Sequence, residues 1–232
     1  MTEQEVSGWY QKANIDGWPF GISSLVPNEQ GYFRTGNIFA PQNELASYLS
    51  AWVIENAGVS TQHFNGFGLN KANSSVRYVE FFDAFMTFQK SGGKYNYDVM
   101  DKKVSTTMEE MARGASNLLS ALRRDGHTLK VARCFVNVMD TKYNSGAGAH
   151  VDMEASMGTV VIKLSEEDTV QEALHILQPS SGPTGTPVQL PKGHGVAFLP
   201  MTKHFVPSIK RSSTRVTINF FFQSYRLHNK DP

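Results

Sequence analysis

Residues 215–222 read Arg-Val-Thr-Ile-Asn-Phe-Phe-Phe, and the alternation in this run decides the fold. Side chains two apart in an extended chain point the same way, so Val216, Ile218, Phe220 and Phe222 form one wholly apolar face that must be core. The opposite face carries Arg215, Thr217, Asn219 and Phe221, and three successive polar positions backed by an apolar face suit a strand that lines a cavity. The run at 129–139, Leu-Lys-Val-Ala-Arg-Cys-Phe-Val-Asn-Val-Met, repeats the signature. Val131, Arg133, Phe135, Asn137 and Met139 share one face, and Ala132, Cys134, Val136 and Val138 the other. Shorter β-branched or aromatic runs at 159–164 and 196–199 are bounded by clusters rich in Gly, Pro, Asn and Ser, such as 143–148 and 179–187; such punctuation marks strands and turns. The glycine-rich segment 180–187 reads as an exposed turn between strands.

Before residue 127 the period lengthens. Residues 43–56 put Leu45, Leu49, Trp52 and Val53 on one helical stripe that ends at Gly58. A second helix is predicted from Thr107, which stands three residues before Glu110 in capping-box spacing, through Met108, Met111, Ala115, Leu118, Leu119 and Leu122 to Gly126. Residues 76–89 are crowded with aromatics that fit neither period and are read as strand followed by helix. Helices first and strands later define an α+β chain. There is no internal repeat and no long linker, so residues 1–232 are expected to form a single catalytic domain, with 1–126 mainly helical support or lid and 127–226 the β core. The N-terminal aromatics Trp9, Tyr10, Trp18, Phe20 and Phe33 are expected to pack over that core.

Composition excludes several classes. A chain of 232 residues with three Trp, eight Tyr, fifteen Phe and a formal net charge of +1 is neither disordered nor a general nucleic-acid binder. The single cysteine, Cys134, cannot form an internal disulfide and falls on an apolar strand face, as a small core residue in a reducing compartment. The acidic N-terminus does not resemble a signal peptide, and no apolar run reaches the ~18 to 20 residues that span a bilayer. A cytoplasmic protein without a membrane partner is expected. No phosphate loop, dinucleotide fingerprint, HExxH helix or nucleophile elbow is present.

The chemistry-bearing residues sit among the strands. His150 and Asp152 are two apart, so an extended chain sends both to one side. With His204, placed after the strand at 196–199, they make a 2-His-1-carboxylate triad, the donor set that holds Fe(II) on one face and leaves other positions open. Arg215 follows eleven residues after His204, and its guanidinium fork with the Thr217 hydroxyl is a candidate clamp for a dicarboxylate whose other end reaches the metal. Arg133 and Asn219, also polar and on these faces, are candidate substrate contacts; for Arg133 a buried structural ion pair is equally open.

The segment from about 130 to 222 resembles the double-stranded β-helix core of the 2-oxoglutarate- and Fe(II)-dependent oxygenases. The resemblance is carried by His150-Val151-Asp152, by His204 52 residues after Asp152, and by Arg215. Tyr143, Gly146, Gly148 and Pro191-Lys192-Gly193 also match. It implies a jelly-roll or cupin-like core braced by the N-terminal helices, with iron on His150, Asp152 and His204. It further implies 2-oxoglutarate held by Arg215 and Thr217, with Tyr143 and Asn137 as further cosubstrate contacts, and O2 as oxidant. The implied activity is hydroxylation of an unactivated C–H bond, with succinate and CO2 as coproducts. A carboxylate at position 152 sets the chain apart from related halogenases, which have a small residue there. Nucleic-acid demethylases of the superfamily usually carry a second Arg six residues after the clamp; this chain has Phe221 there, which together with its neutral charge argues against nucleic acid. A small metabolite such as an amino acid or biosynthetic intermediate is the first expectation for the substrate. Protein side-chain hydroxylation, nucleic-acid demethylation and a non-enzymatic metal-binding β-helix module are the alternatives.

Overall fold

The computed structural model describes residues 26–27, 32–34, 37–39, 43–60, 76–83, 129–142, 146–152, 157–166, 168–177, 182–199, 202–210 and 214–224, with residues 104, 111, 112, 115 and 119. In chain order the elements are β1 (Val26–Pro27), β2 (Tyr32–Arg34), α1 (Asn43–Asn56), β3 (Gly58–Ser60), β4 (Val76–Asp83), β5 (Leu129–Met139), β6 (Ala147–His150), β7 (Gly158–Lys163), β8 (Leu174–Leu177), β9 (Thr186–Val188), β10 (Gly195–Phe198), β11 (Lys203–Val206) and β12 (Arg215–Ser224). They form two antiparallel sheets, a large one in the order β1-β2-β10-β7-β12-β5-β4-β3 and a small one in the order β6-β11-β8-β9. Strands β5 to β12 divide between the sheets in the manner of a jelly roll, with β5, β7, β10 and β12 in the large one and β6, β8, β9 and β11 in the small one. Among the described residues no helix is long and apolar enough to cross a membrane.

The two-residue period of β12 is realised as read. Val216, Ile218, Phe220 and Phe222 are fully buried in the main core. They pack with Cys134, Val136 and Val138 of β5, with Val160 and Ile162 of β7, and with Leu45, Leu49 and Val53 of α1. Val104, Met111, Ala115 and Leu119 are helical and buried in the same core. Val104 lies ahead of the expected start at Thr107; Thr107, Met108, Leu118 and Leu122 lie outside the described residues, as do Trp9, Tyr10, Trp18, Phe20 and the helix expected after Asp83. The opposite face of the large sheet meets the small sheet in a second core, where Val161, Val196 and Phe198 pack on Leu174, Ile176 and Val188.

Besides α1, the described residues of the N-terminal portion add strands to the large sheet: β1 and β2 extend it beyond β10, and β3 and β4 extend it beyond β5. One expected side-chain facing changes. Val131 does not share the Arg133 face, because the β12–β5 register shifts between Phe221↔Arg133 and Phe222↔Val131. The extra residue turns Val131 over, and it packs against the helical core instead. His204 sits on β11 in the small sheet, beside the strand β6 that carries His150. The turn expected at 180–187 links β8 to β9, with Thr186 and Pro187 already in the strand; Gly185 adopts φ 63°, and a Cβ there would meet the Ile176 carbonyl at 2.8 Å.

Phe220 is fully buried and Leu199 is 37% exposed, which separates a core deletion from a surface one. Phe220→Ala is expected to cost about 3–5 kcal/mol and Leu199→Ala under about 0.5 kcal/mol. Urea midpoints at constant m-value check both.

Candidate metal centre

β6 and β11 pair with His150 directly opposite His204, so backbone pairing alone sets the two rings side by side, 4.4 Å between centroids. The approach is close: a Cβ at Gly146, just before β6, would lie 2.7 Å from the Val206 carbonyl. The chain leaves β6 at His150 and turns Asp152 toward both rings. Asp152 Oδ1 is 3.5 Å from His150 Nε2 and 3.6 Å from His204 Nε2, and the three potential ligand atoms all lie within 4.8 Å of one another. Donors about 2.1 Å from one metal at right angles stand about 3 Å apart, so closing onto an ion takes shifts of roughly half an ångström.

The unused atoms of each ligand are tied down. His150 Nδ1 donates to the Gly148 carbonyl at 2.7 Å, and His204 Nδ1 to the Thr202 carbonyl at 3.0 Å. A carbonyl can only accept, so each ring keeps a proton on Nδ1 and, once neutral, presents the Nε2 lone pair. Thr159 on β7 donates its hydroxyl to Asp152 Oδ2 at 2.7 Å, leaving Oδ1 for the metal. Two neutral imidazoles and one carboxylate suit a divalent first-row ion with positions to spare, the set known for non-heme Fe(II). Thr159 escaped the sequence reading because it opens a run scored as apolar; only its place opposite Asp152 reveals it.

Burial pulls the His150 pKa down, but bonding to Asp152 and Gly148 outweighs it, and the net shift is upward. Burial would raise Asp152, yet His150, His204 and Thr159 bring it below the usual carboxylate range. Burial dominates at His204 and lowers it. Asp152 is therefore ionised and His204 neutral near neutrality, and His150 is the group that must lose a proton to bind metal.

The remaining expected residues lie mostly on the inner face of the large sheet. Thr217 is buried and stands between Asn137 of β5 and Lys163 of β7 in the register. Asn137 Oδ1 is buried without a hydrogen-bond partner, which leaves polar capacity in this corner for a ligand. Arg215 is buried; it donates from a terminal nitrogen to the Glu172 carbonyl at 2.9 Å, and its Nε lies 3.4 Å from Asp168 Oδ2. Asn219 donates to the carbonyls of Thr217 and Phe135. Arg133 is buried with its guanidinium 4.7 Å from the centre of the Phe135 ring, and Phe135 meets Phe221 edge to face at 5.4 Å. Tyr143 lies outside the described residues. Cys134 is buried in the main core, as expected.

No family model matches the sequence, and no curated protein matches it. Solved structures do. A 2OG-Fe(II) oxygenase family oxidoreductase from Burkholderia pseudomallei aligns at TM-score 0.59 and 13% identity over 96% of this chain and 92% of that one. The epimerase SnoN, in complex with Fe3+, α-ketoglutarate and nogalamycin RO, aligns at 0.55 and 13% over 84% and 79%. A prolyl hydroxylase from Trichoplax adhaerens, in complex with a hypoxia inducible factor peptide, aligns at 0.57 and 11% over 96% and 93%. The chain has the fold of the 2-oxoglutarate- and Fe(II)-dependent oxygenases, and within it a His-Asp-His triad drawn together.

Thr159→Val keeps size and ligands but removes the bond to Asp152. Metal affinity is expected to fall about 10- to 100-fold with the fold intact, measured by Fe(II) titration under anaerobic conditions. Metal affinity should also fall as pH drops through the raised His150 value, starting above the pH of an ordinary imidazole. In the metal-free chain the sign reverses: the His150–Asp152 pairing stabilises the fold below the unfolded histidine value and fades as pH rises through the folded one. Calorimetry in buffers of different ionisation enthalpy should find one proton released per metal in that window.

Proposed function

We propose that this chain is an Fe(II)- and 2-oxoglutarate-dependent oxygenase that hydroxylates an unactivated C–H bond of a small metabolite, such as an amino acid or biosynthetic intermediate. The observation that carries the reading is the convergence of His150, Asp152 and His204 with both Nε2 atoms and Oδ1 left for a metal. Bound iron and 2-oxoglutarate would supply the oxidising chemistry: the 2-oxo acid and O2 yield succinate and CO2, and one oxygen atom reaches the substrate.

The chain's own part is to hold and to exclude. The triad fixes the metal on one side, and Thr159 keeps the Asp152 carboxylate from rotating. Arg215, with Thr217 and Asn137 alongside, receives the far carboxylate of 2-oxoglutarate, which orients its 2-oxo acid end toward the triad. Arg133 and Asn219, further along the same face, are assigned to the substrate. The apolar walls from Phe135, Phe221 and Phe198 limit water at the site, as such chemistry requires. A substrate of small-molecule kind is supported by the nogalamycin compound held by SnoN; the peptide held by the Trichoplax prolyl hydroxylase supports a protein side chain as the second reading.

Anaerobic loading with Fe(II) followed by exposure to O2 and 2-oxoglutarate is expected to yield succinate, and a screen over amino acids, peptides and alkylated nucleosides to raise its rate for one class. Iron that binds without any succinate across the screen overturns the oxygenase reading. His150→Ala is expected to abolish metal binding, whereas Arg215→Ala should retain metal and raise the 2-oxoglutarate requirement more than about tenfold. Equal metal loss in both variants would count against separate roles.

A further inference from the structure

Asn219 is half-buried, yet its neighbours on the inner face of the large sheet are buried: Thr217 and Phe221 before and after it on β12, Val161 opposite on β7 and Phe135 opposite on β5. An opening therefore reaches the sheet at Asn219. The apolar neighbours belong to two separate clusters, Val161 with Val196 and Phe198 on one side and Phe135 with Phe221 on the other. A leucine at 219 would join them, whereas an amide between apolar clusters costs stability unless a partner uses it. Its nitrogen fixes how the amide lies. Nδ2 donates to the Thr217 carbonyl at 3.2 Å and to the Phe135 carbonyl at 3.4 Å. Flipping the amide would set its oxygen against two carbonyls that can only accept, so Oδ1 is the atom left toward the opening. Among the described residues Oδ1 receives no hydrogen bond.

Asn219 thus offers an acceptor, and the register gives its place. Phe221, the next residue on this face, pairs with Thr159, whose hydroxyl holds Asp152, and two residues of strand span about 7 Å. Every oxygen of 2-oxoglutarate is an acceptor at neutral pH, so the cosubstrate has no hydrogen to give Asn219. We propose that Asn219 is a specificity-determining residue for the substrate: its Oδ1 takes a hydrogen bond from an N–H or O–H group carried close to the oxidised carbon. The enzyme then selects amine- or hydroxyl-bearing metabolites over molecules that have only acceptors at that place. The assignment rests on the oxygenase reading above and deepens it by naming the group the substrate carries. Such a site rejects an analogue without the donor, because the amide oxygen is then shut away from water and left unpaired.

The test uses pentan-1-ol, its isomer butyl methyl ether, which has the same atoms but no donor, and pentylamine. The protein is loaded with Fe(II) and 2-oxoglutarate in the absence of O2, and broadening of the probes' proton NMR signals by the metal reads both affinity and nearness to the centre. Wild type is expected to bind pentan-1-ol at least about fivefold more tightly than the ether. Pentylamine bound more tightly still assigns the donor to an ammonium, and the alcohol bound most tightly assigns it to a hydroxyl. Asn219→Leu should bring alcohol and ether within about twofold of each other and hold 2-oxoglutarate within about twofold of wild type. Its urea midpoint should be no lower than wild type; a lower one marks Asn219 as a tie between β5 and β12 and counts against the proposal. Asn219→Asp keeps an acceptor and adds charge, and should raise the preference for pentylamine over the alcohol about tenfold above wild type. That variant decides the matter if the leucine protein does not fold, and no gain in it counts against the proposal. A leucine protein that keeps the alcohol preference, or that loses more than about tenfold in 2-oxoglutarate affinity, overturns the assignment. Wild type that takes up 2-oxoglutarate but binds alcohol and ether equally, or holds none of the probes near the metal, overturns it and leaves the cosubstrate reading standing. Protein that loads Fe(II) but takes up no 2-oxoglutarate overturns the oxygenase reading, and the assignment falls with it.

Discussion

The hydrogen bond from Thr159 to Asp152 joins the two sheets at the metal centre, and the geometry of the ligand set depends on it. Thr159 is held from both sides in the large sheet, paired with Phe198 of β10 and Phe221 of β12. Asp152 hangs from the end of β6 in the small sheet, beyond the last ladder pairing. The threonine therefore refers a carboxylate on a turn to a strand that is paired on both sides. The imidazoles need no such help, since the pairing of His150 with His204 sets them by backbone alone. All three ligands belong to the small sheet, so an ion held by them would be tied to the large sheet through the Thr159–Asp152 bond, and its binding energy would add to the stability of the fold.

The inner face of β7 links the metal centre to the cations. Thr159 stands at the metal end and Lys163 at the other, four residues or about 13 Å of strand apart, with Val161 between them. The matching face of β12, antiparallel to β7, runs alongside through Arg215, Thr217 and Asn219. Polar groups thus occupy a corridor between sheets whose remaining contacts, Val196, Phe198, Leu174 and Ile176, are apolar. The outer face of the same strands is sealed by α1 and by the helical residues Val104, Met111, Ala115 and Leu119. Side-chain alternation along two strands is enough to place a dry wall on one side and a charged corridor on the other.

Legibility in the sequence followed element length. β5 and β12 run for eleven and ten residues, long enough for alternation to stand out, and α1 matches its expected bounds. β6, β8, β9 and β11 have three or four residues each, too few for any period. Bulges hid the rest. The β4–β5 register shifts between Glu80 and Phe82, which breaks the two-residue repeat in the very segment whose aromatics fit no pattern, and the shift near Ala132 inverted Val131. At the site, His150, Asp152 and His204 were readable because residue type and spacing carry the chemistry. Thr159, Lys163 and Asp168 were not, since each gains its meaning from a partner elsewhere in the fold. Arg215 was singled out as a carboxylate clamp, but its engagement with Asp168 was not foreseeable from spacing.

The N-terminal strands also bear on how the molecule meets its own copies. A sheet's outermost strands offer unpaired backbone groups to any passing chain, and long flat ones invite open-ended growth. Here the large sheet ends on one side in β1, two residues that include a proline, and on the other in β3, three residues. The small sheet ends in β6, shaped by Gly146 and Gly148, and in β9, which contains Pro187. The long strands that build the corridor are all interior. Among the described residues, the short N-terminal strands thus keep the long strands of the large sheet away from its edges.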